Sequence, residues 1–203
     1  MKSKGRAARL LIVTLLLVLA TLSLADNPPC STGNTCFLKV PLRPQETTNW
    51  CWAATSQMAM EFLGHTVPQC KQANDILNHD HVDCCKAKDG MACNQTGWPD
   101  LKRYGFNFSR TPGTPLTWDQ LVAQIRGGKP FIYTWAWLGG GKHMKVATGY
   151  SVTSSGTRYV SYNNPLEVNV GLASSEPYSA YVSGARYKHW DDFVDIVYAG
   201  NIK

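Results

Sequence analysis

The chain of 203 residues lacks four features that would each have pointed to a class of function. No apolar run of membrane-spanning length follows residue 24, which argues against a protein with several transmembrane helices. No cluster of basic residues follows residue 25, so a nucleic acid is not an expected partner. There is no internal repeat or low-complexity segment, and no two cysteines have the Cys-x-x-Cys spacing of many zinc sites.

Residues 1–25 have the pattern of a secretory signal peptide. Four basic residues come first, and an apolar run from Leu10 to about Leu24 follows them. Ser23-Leu24-Ala25 then has the small-x-small form that signal peptidases cleave. Because the apolar run of about 15 residues is shorter than the roughly 20 that cross a bilayer, we expect cleavage after Ala25 rather than a retained anchor.

Cleavage after the signal peptide defines the expected mature protein. Residues 26–203 should form a single domain, exported to the extracellular space or periplasm and without stable membrane association. Removing four basic and no acidic residues lowers the formal net charge from +6 to +2. The basic character of the whole chain therefore belongs largely to its first 25 residues, and the mature chain shows no charge pattern typical of nucleic-acid binding.

The cysteines predict a disulfide framework with one thiol left over. There are seven, at positions 30, 36, 51, 70, 84, 85 and 93, and an odd number in an oxidising compartment leaves one unpaired. Cys51 stands apart and is the expected free thiol, while Cys30 and Cys36 are close enough to pair locally. In the second cluster, the adjacent Cys84 and Cys85 seldom bond to each other, so each should pair with one of the two outer cysteines. The sequence leaves open which pairs with which.

A metal site is the alternative for this cysteine-rich stretch. His79, His81 and Asp83 stand just before the cysteine pair and carry groups that bind zinc. The thiols of an exported protein oxidise, however, so disulfides are the stronger prediction and a solvated polar loop is the default interpretation of the histidines. We therefore expect neither a metal nor a cofactor.

The stretch around Cys51 carries the most informative pattern. Ala54, Met58 and Phe62 fall four residues apart, which predicts a helix with one buried face. Cys51 then lies in the first helical turn, where unpaired N–H groups and the helix dipole favour a thiolate. On this stretch alone, a buried core cysteine is an equally good interpretation.

The remaining pattern predicts helices first and strands second. Helices are expected over residues 68–77 and 98–104, and from a capping box at residues 117–120 to Gly127. Strands are expected over residues 131–137, 143–150 and 158–162, with weaker ones at 168–170 and 193–198. This order predicts an α+β fold with segregated layers.

His143 is the candidate partner of Cys51. It follows three glycines and opens a strand, a position from which a side chain can face a cleft while its backbone is held. A cysteine nucleophile needs an imidazole, and an Asn or Asp is then wanted to orient that imidazole. Asn163 and Asn164, at the end of the next predicted strand, are the candidates. The alternatives are a structural histidine and a turn before Pro165.

These elements together resemble a compact papain-like cysteine protease. In order they are Gln45, Asn49-Trp50-Cys51-Trp52-Ala53-Ala54, Gly128-Lys129-Pro130, Gly141-Lys142-His143 and Asn164-Pro165. The match covers roughly residues 37 to 200, and the branch it most resembles is that of secreted bacterial avirulence-effector and staphopain-like enzymes. The resemblance implies a papain-like α+β fold, in which an N-terminal helical part packs on a C-terminal antiparallel β-sheet.

The resemblance also implies a role for each candidate residue. Cys51 is implied as the nucleophile, His143 as the general acid and base, Asn164 as the orienting residue and Gln45 as a donor to the oxyanion; Asn163 is the alternative to Asn164. The implied reaction is hydrolysis of a protein or peptide substrate through a thioester acyl-enzyme, without a cofactor.

Two other functions fit the same residues. One is an acyl transferase or cell-wall amidase with the same triad, and the other is a disulfide-stabilised binding or toxin module without turnover. For a peptidase, we expect the glycines at 139–141 to admit a substrate backbone, with Trp135 or Trp137 as an apolar wall.

Overall fold

The structure is a computed structural model that describes residue 30, residues 33–77 and residues 81–200. The predicted signal peptide and its cleavage site after Ala25 lie outside the described residues, as does His79.

An antiparallel β-sheet of eight strands dominates the described residues. The strands are β1 (Thr35–Phe37), β2 (Phe106–Arg110), β3 (Phe131–Trp137), β4 (Lys142–Val152), β5 (Arg158–Asn164), β6 (Leu172–Pro177), β7 (Ser183–Gly184) and β8 (Tyr187–Tyr198). They follow the order β2-β8-β3-β4-β5-β6, while β1 pairs with β4 and β7 pairs with β8. Most residues of β3 and β4 are buried, and the two strands form the centre of the core, where the helix at Cys51–Phe62 packs against both.

In the part of the chain that the structure describes, four α-helices accompany the sheet: α1 (Cys51–Phe62), α2 (Gln69–Leu77), α3 (Trp118–Arg126) and α4 (Tyr178–Val182). The first helix packs against α2 and against β3 and β4, and its inward side chains include the fully buried Ala54 and Met58. The third helix packs against β1 and β4. This arrangement confirms the predicted α+β class and the papain-like fold.

Local sequence signals set several of these boundaries. At the start of α3, the Thr117 hydroxyl accepts a hydrogen bond from the Gln120 backbone N–H, and the Gln120 side chain bonds back to the Thr117 N–H, which is the predicted capping box. Strand β3 has the predicted bounds. Strand β4 opens one residue before His143 and runs two residues beyond the predicted end.

Two predicted elements are wrong in part or in whole. Residues 168–170 form a turn instead of a strand, with Asn169 at φ +60° and the N–H of Gly171 bonded to the Glu167 carbonyl. The strand begins only after this turn, as β6. Residues 98–100 are not helical, and only a short 3₁₀ helix at Leu101–Tyr104 forms, because the residue before Pro99 is pushed out of the helical region.

The described residues contain three disulfides, which settle the pairing that the sequence left open. The bonds are Cys30–Cys36, Cys70–Cys85 and Cys84–Cys93. Cys51 is free, as predicted. The residues that the structure describes include no helix long and apolar enough to cross a membrane. Among the same residues, no three His, Cys, Asp or Glu side chains are grouped so that they could hold a metal ion.

Candidate active site

Cys51 is the first residue of α1, and the disulfide-bonded loop that ends at Cys93 fixes the chain just before it. The indole N–H of Trp50 donates to the Cys93 carbonyl at 2.7 Å, and the Asn49 side chain donates to the Asn94 carbonyl at 2.8 Å. Trp50 itself is fully buried. The start of the helix is therefore held by the disulfide framework as well as by its own packing.

The environment of the Cys51 sulfur favours the thiol. Burial raises the pKa of Cys51 to about 11, whereas hydrogen bonds from the backbone N–H groups of Met144, Trp52 and Cys51 itself act to lower it. The expectation of a resting thiolate, drawn from the helix N-terminus alone, is therefore wrong for the free protein. The sulfur loses more hydration than the three N–H groups replace, so a neighbouring base has to take its proton.

His143 lies at the start of β4 and is hydrogen-bonded to Asn164 at the end of β5, with 2.7 Å between Nε2 and Oδ1. The Asn164 oxygen also accepts the backbone N–H of Leu166 at 3.0 Å, which identifies this atom as the carbonyl oxygen rather than the amide nitrogen. The histidine must then carry its proton on Nε2, because an oxygen acceptor needs a donor. Its other ring nitrogen, Nδ1, is left with the lone pair that accepts a proton.

The pKa of His143 is lowered, so the neutral imidazole is the resting form. Burial is the largest cause, and the positive charge of Lys145 acts in the same direction, while the hydrogen bond to Asn164 opposes both. A neutral imidazole with a free Nδ1 is the form that can act as a general base.

The two asparagines at the end of β5 have different partners. Asn163 is buried, and its side-chain amide donates to the Val40 carbonyl at 3.0 Å. Of these two asparagines, only Asn164 is hydrogen-bonded to the His143 side chain. The alternation of side chains along a strand explains the difference, because adjacent residues project to opposite faces of the sheet.

Gln45 is fully buried and links the two loops that flank the site. Its side-chain nitrogen donates to the carbonyls of Thr47 and Thr48 at 2.9 and 2.8 Å. Its backbone N–H donates to the Pro165 carbonyl, and its own carbonyl accepts the N–H of Asn169. The loop before Cys51 is thus bound to the loop after Asn164, and the Gln45 amide protons already have acceptors.

A cleft of about 310 Å³ opens at Cys51. Its lining comes from Asn49 and the start of α1, from residues 96–98 and from residues 141, 142 and 144. His143 is 8% exposed and is flanked in sequence by these lining residues. The structure therefore places Cys51 beside the strand segment that carries His143, and it places His143 beside Asn164.

Trp98, which is 37% exposed, forms the aromatic wall of this cleft. Trp52 also lines the cleft but is fully buried, and neither Trp135 nor Trp137 lines it. Trp135 is stacked on Tyr187 with ring centres 3.8 Å apart, and Trp137 meets the same ring edge-on. The segment with Trp98 was not predicted as part of the site, because only the fold brings it there. The one feature of this segment that the sequence shows is Gly97. An added Cβ there would lie 2.7 Å from the Trp52 ring, so only glycine fits.

An antiparallel sheet with a free cysteine at the head of its main packing helix is the architecture of a cysteine-peptidase-like domain. A model of the Peptidase_C39 like family matches residues 37–194, most of the chain, and the protein belongs to that family. Membership makes it a cysteine peptidase by class, a hydrolase. A search of the curated proteins finds no match. The narrower resemblance to effector and staphopain-like enzymes stays a prediction.

Proposed function

We propose that this protein is a secreted cysteine endopeptidase that hydrolyses peptide bonds through Cys51, His143 and Asn164. The hydrogen bond between His143 and Asn164 carries the proposal, because it leaves Nδ1 as the basic ring nitrogen. The next residue along β4, Met144, lines the same cleft as Cys51, so the thiol lies beside the strand that holds the imidazole.

In the first step, the Cys51 sulfur attacks the carbonyl carbon of a peptide bond while its proton passes to His143 Nδ1. The raised pKa of Cys51 and the lowered pKa of His143 make this transfer unfavourable before attack. Proton transfer and bond formation are therefore coupled. Asn164 accepts the hydrogen bond from the resulting imidazolium and keeps the ring oriented.

The carbonyl electrons move to oxygen, and the oxyanion needs hydrogen-bond donors. The proposed donors are the Cys51 backbone N–H and the Gln45 amide. In the resting structure, both Gln45 bonds go to Thr47 and Thr48, so this role requires one of them to be exchanged for the oxyanion. His143 then gives its proton to the leaving amine, and the thioester remains on Cys51.

The second half of the reaction consumes water. His143 removes a proton from a water molecule, the resulting hydroxyl attacks the thioester carbon, and the C–S bond breaks to release a carboxylic acid. The sulfur recovers its proton from His143, which restores both resting groups. The disulfides of the described residues fit an extracellular protein, in line with the proposed signal peptide and export.

Product analysis of the mature, disulfide-bonded protein tests this function against its rivals. With a mixture of unfolded proteins as substrate, we expect new peptide N-termini that mass spectrometry can locate, and none after Cys51 has been alkylated. Isopeptide crosslinks would instead indicate an acyl transferase, and fragments released from purified cell wall would indicate an amidase. If none of these products forms and Cys51 is unreactive, the remaining function is that of a binding or toxin module without turnover.

Replacement of Asn164 should change both the rate and the acid side of the pH profile. Asn164→Ala removes the hydrogen bond that raises the pKa of His143, so the loss of kcat/KM on acidification should move to lower pH while kcat falls roughly 10- to 100-fold. Asn164→Asp places a carboxylate at the same nitrogen, which stabilises the imidazolium and moves the acid limb to higher pH. Hydrolysis of one peptide between pH 4 and 9 measures both shifts.

Asn163→Ala is the matched control for the asparagine variants. It removes the bond to the Val40 carbonyl, so it should lower the free energy of unfolding by about 1–2 kcal/mol and leave the acid limb in place. If Asn163→Ala shifted the acid limb and Asn164→Ala did not, the orienting role would belong to Asn163.

A further inference from the structure

Lys142 brings a positive charge to the wall of the cleft that contains Cys51. It directly precedes His143 and is exposed. No carboxylate is among the residues that line the cleft. Within the described part of the chain, Lys142 also takes part in no ion pair. Its charge is therefore left for a ligand or for solvent.

Two tryptophans hold the Lys142 ammonium group in position. Nζ lies 4.0 Å from the ring centre of Trp190 and 5.0 Å from that of Trp98, which itself lines the cleft. Cation–π contacts of this kind restrict an otherwise mobile side chain, so less conformational entropy is lost when a ligand binds. The guanidinium of Arg110 also lies near Trp98, but Asp191 neutralises its charge.

We infer that Lys142 makes the cleft select peptide substrates that carry an aspartate or glutamate side chain next to the scissile bond. This inference rests on the proposed peptidase function and names the substrate class of the same site. A carboxylate would form a charge-assisted hydrogen bond with the ammonium, while the exposed ring of Trp98 covers the methylene groups of the same side chain. Because an ammonium is a point charge without a fixed fork geometry, both acidic residues are accepted, and a lysine or arginine is repelled.

The test is competition among peptides that differ at one position. Peptides with Glu, Gln or Lys at each position flanking the scissile bond are hydrolysed in one mixture, and the ratios of kcat/KM are measured. At low salt we expect wild type to prefer Glu over Gln about fivefold at one position, and the preference to weaken at about 0.5 M salt. Lys142→Gln should bring the ratio close to one, and Lys142→Glu should favour the Lys peptide. Each ratio is measured within one preparation, so differences in active protein cancel.

Lys102→Gln is the matched control, because Lys102 also lies over an aromatic ring, that of Phe108, but does not line the cleft. It should keep the wild-type ratio. Equal hydrolysis of Glu and Gln peptides by wild type, or a preference that survives Lys142→Gln, would overturn the inference while the peptidase function stands.

Failure of the peptidase function has a different signature, since no peptide is then hydrolysed. In that case, calorimetry measures the binding of the same peptides to Cys51→Ala and to Cys51→Ala/Lys142→Gln, and this comparison tests the selection of acidic peptides. Tighter binding of the Glu peptide that depends on Lys142 would support acidic selection at this site, and equal binding would overturn it.

Discussion

Replacement of Cys51 by alanine should lower kcat for peptide hydrolysis by roughly 10⁴- to 10⁶-fold, the loss typical of removing the nucleophile from a triad. No other described cysteine can take its place, because the remaining six are held in disulfides. The fold should survive, since Cys51 forms no covalent bond and alanine favours a helix. Turnover of a single peptide, followed by chromatography, measures the loss.

His143→Ala provides the internal check on this result. If the two residues act as a unit, His143→Ala should cost nearly as much as Cys51→Ala, and the double variant should cost no more than either. Unchanged circular dichroism and intact disulfides would show that the variants are folded. Should Cys51→Ala keep more than about a hundredth of wild-type activity, the thioester route would be excluded.

The parts of the site that the sequence predicts are those with local signals. The capping box fixes the start of α3, and the glycines after β3 fix where β4 can begin, so His143 could be placed at a strand opening. The helical spacing after Cys51 placed that residue in a first turn. These signals depend on neighbours in the chain, and the fold confirms each of them.

The parts that could not be predicted depend on tertiary packing. The register of the strands decides whether Asn163 or Asn164 contacts His143. The sequence alone predicts this register only to within one residue. The raised pKa of Cys51 results from burial by the whole domain and outweighs the local helix N-terminus. The wall formed by Trp98 arises because the loop after Cys93 folds back onto Trp52.

The buried ion pair between Lys145 and Glu176 is a further feature that no sequence pattern predicts. Lys145 Nζ lies 3.0 Å from a Glu176 oxygen, and both side chains are almost inaccessible. The ammonium lies 3.6 and 3.9 Å from the ring centres of Trp135 and Tyr162. The Tyr133 hydroxyl donates to the other Glu176 oxygen at 2.8 Å. Burial lowers the pKa of Lys145, and Glu176 opposes that shift.

Glu176→Gln should therefore be among the most destabilising single changes in the protein, lowering the free energy of unfolding by about 3–5 kcal/mol. The substitution keeps the shape of the side chain but leaves the Lys145 ammonium buried without its counter-ion. Its folded-state pKa then falls further below that of the unfolded chain. The unfolded state then binds more protons than the folded state. The loss of unfolding free energy in the variant should therefore shrink as the pH rises towards the pKa of a free lysine. Urea denaturation at pH 7 and 9.5 measures both effects.

Glu61→Gln is the control for charge removal at the surface. Glu61 pairs with Arg43, whose side chain is nearly half exposed, and loss of the Glu61 charge should cost about 1 kcal/mol or less. A Glu176→Gln variant no less stable than Glu61→Gln would show that the buried pair is not needed to hold the core.

Replacing both partners separates the structural role of the pair from its effect on the active site. Lys145→Met/Glu176→Leu removes both charges, and it should recover most of the stability lost in Glu176→Gln because no buried charge remains unpaired. Lys145 stands two residues after His143, and its charge lowers the pKa of that imidazole. The double variant should therefore lose activity at a higher pH than wild type as the solution is acidified. A stable double variant with an unchanged acid limb would mean that the pair supports only the core.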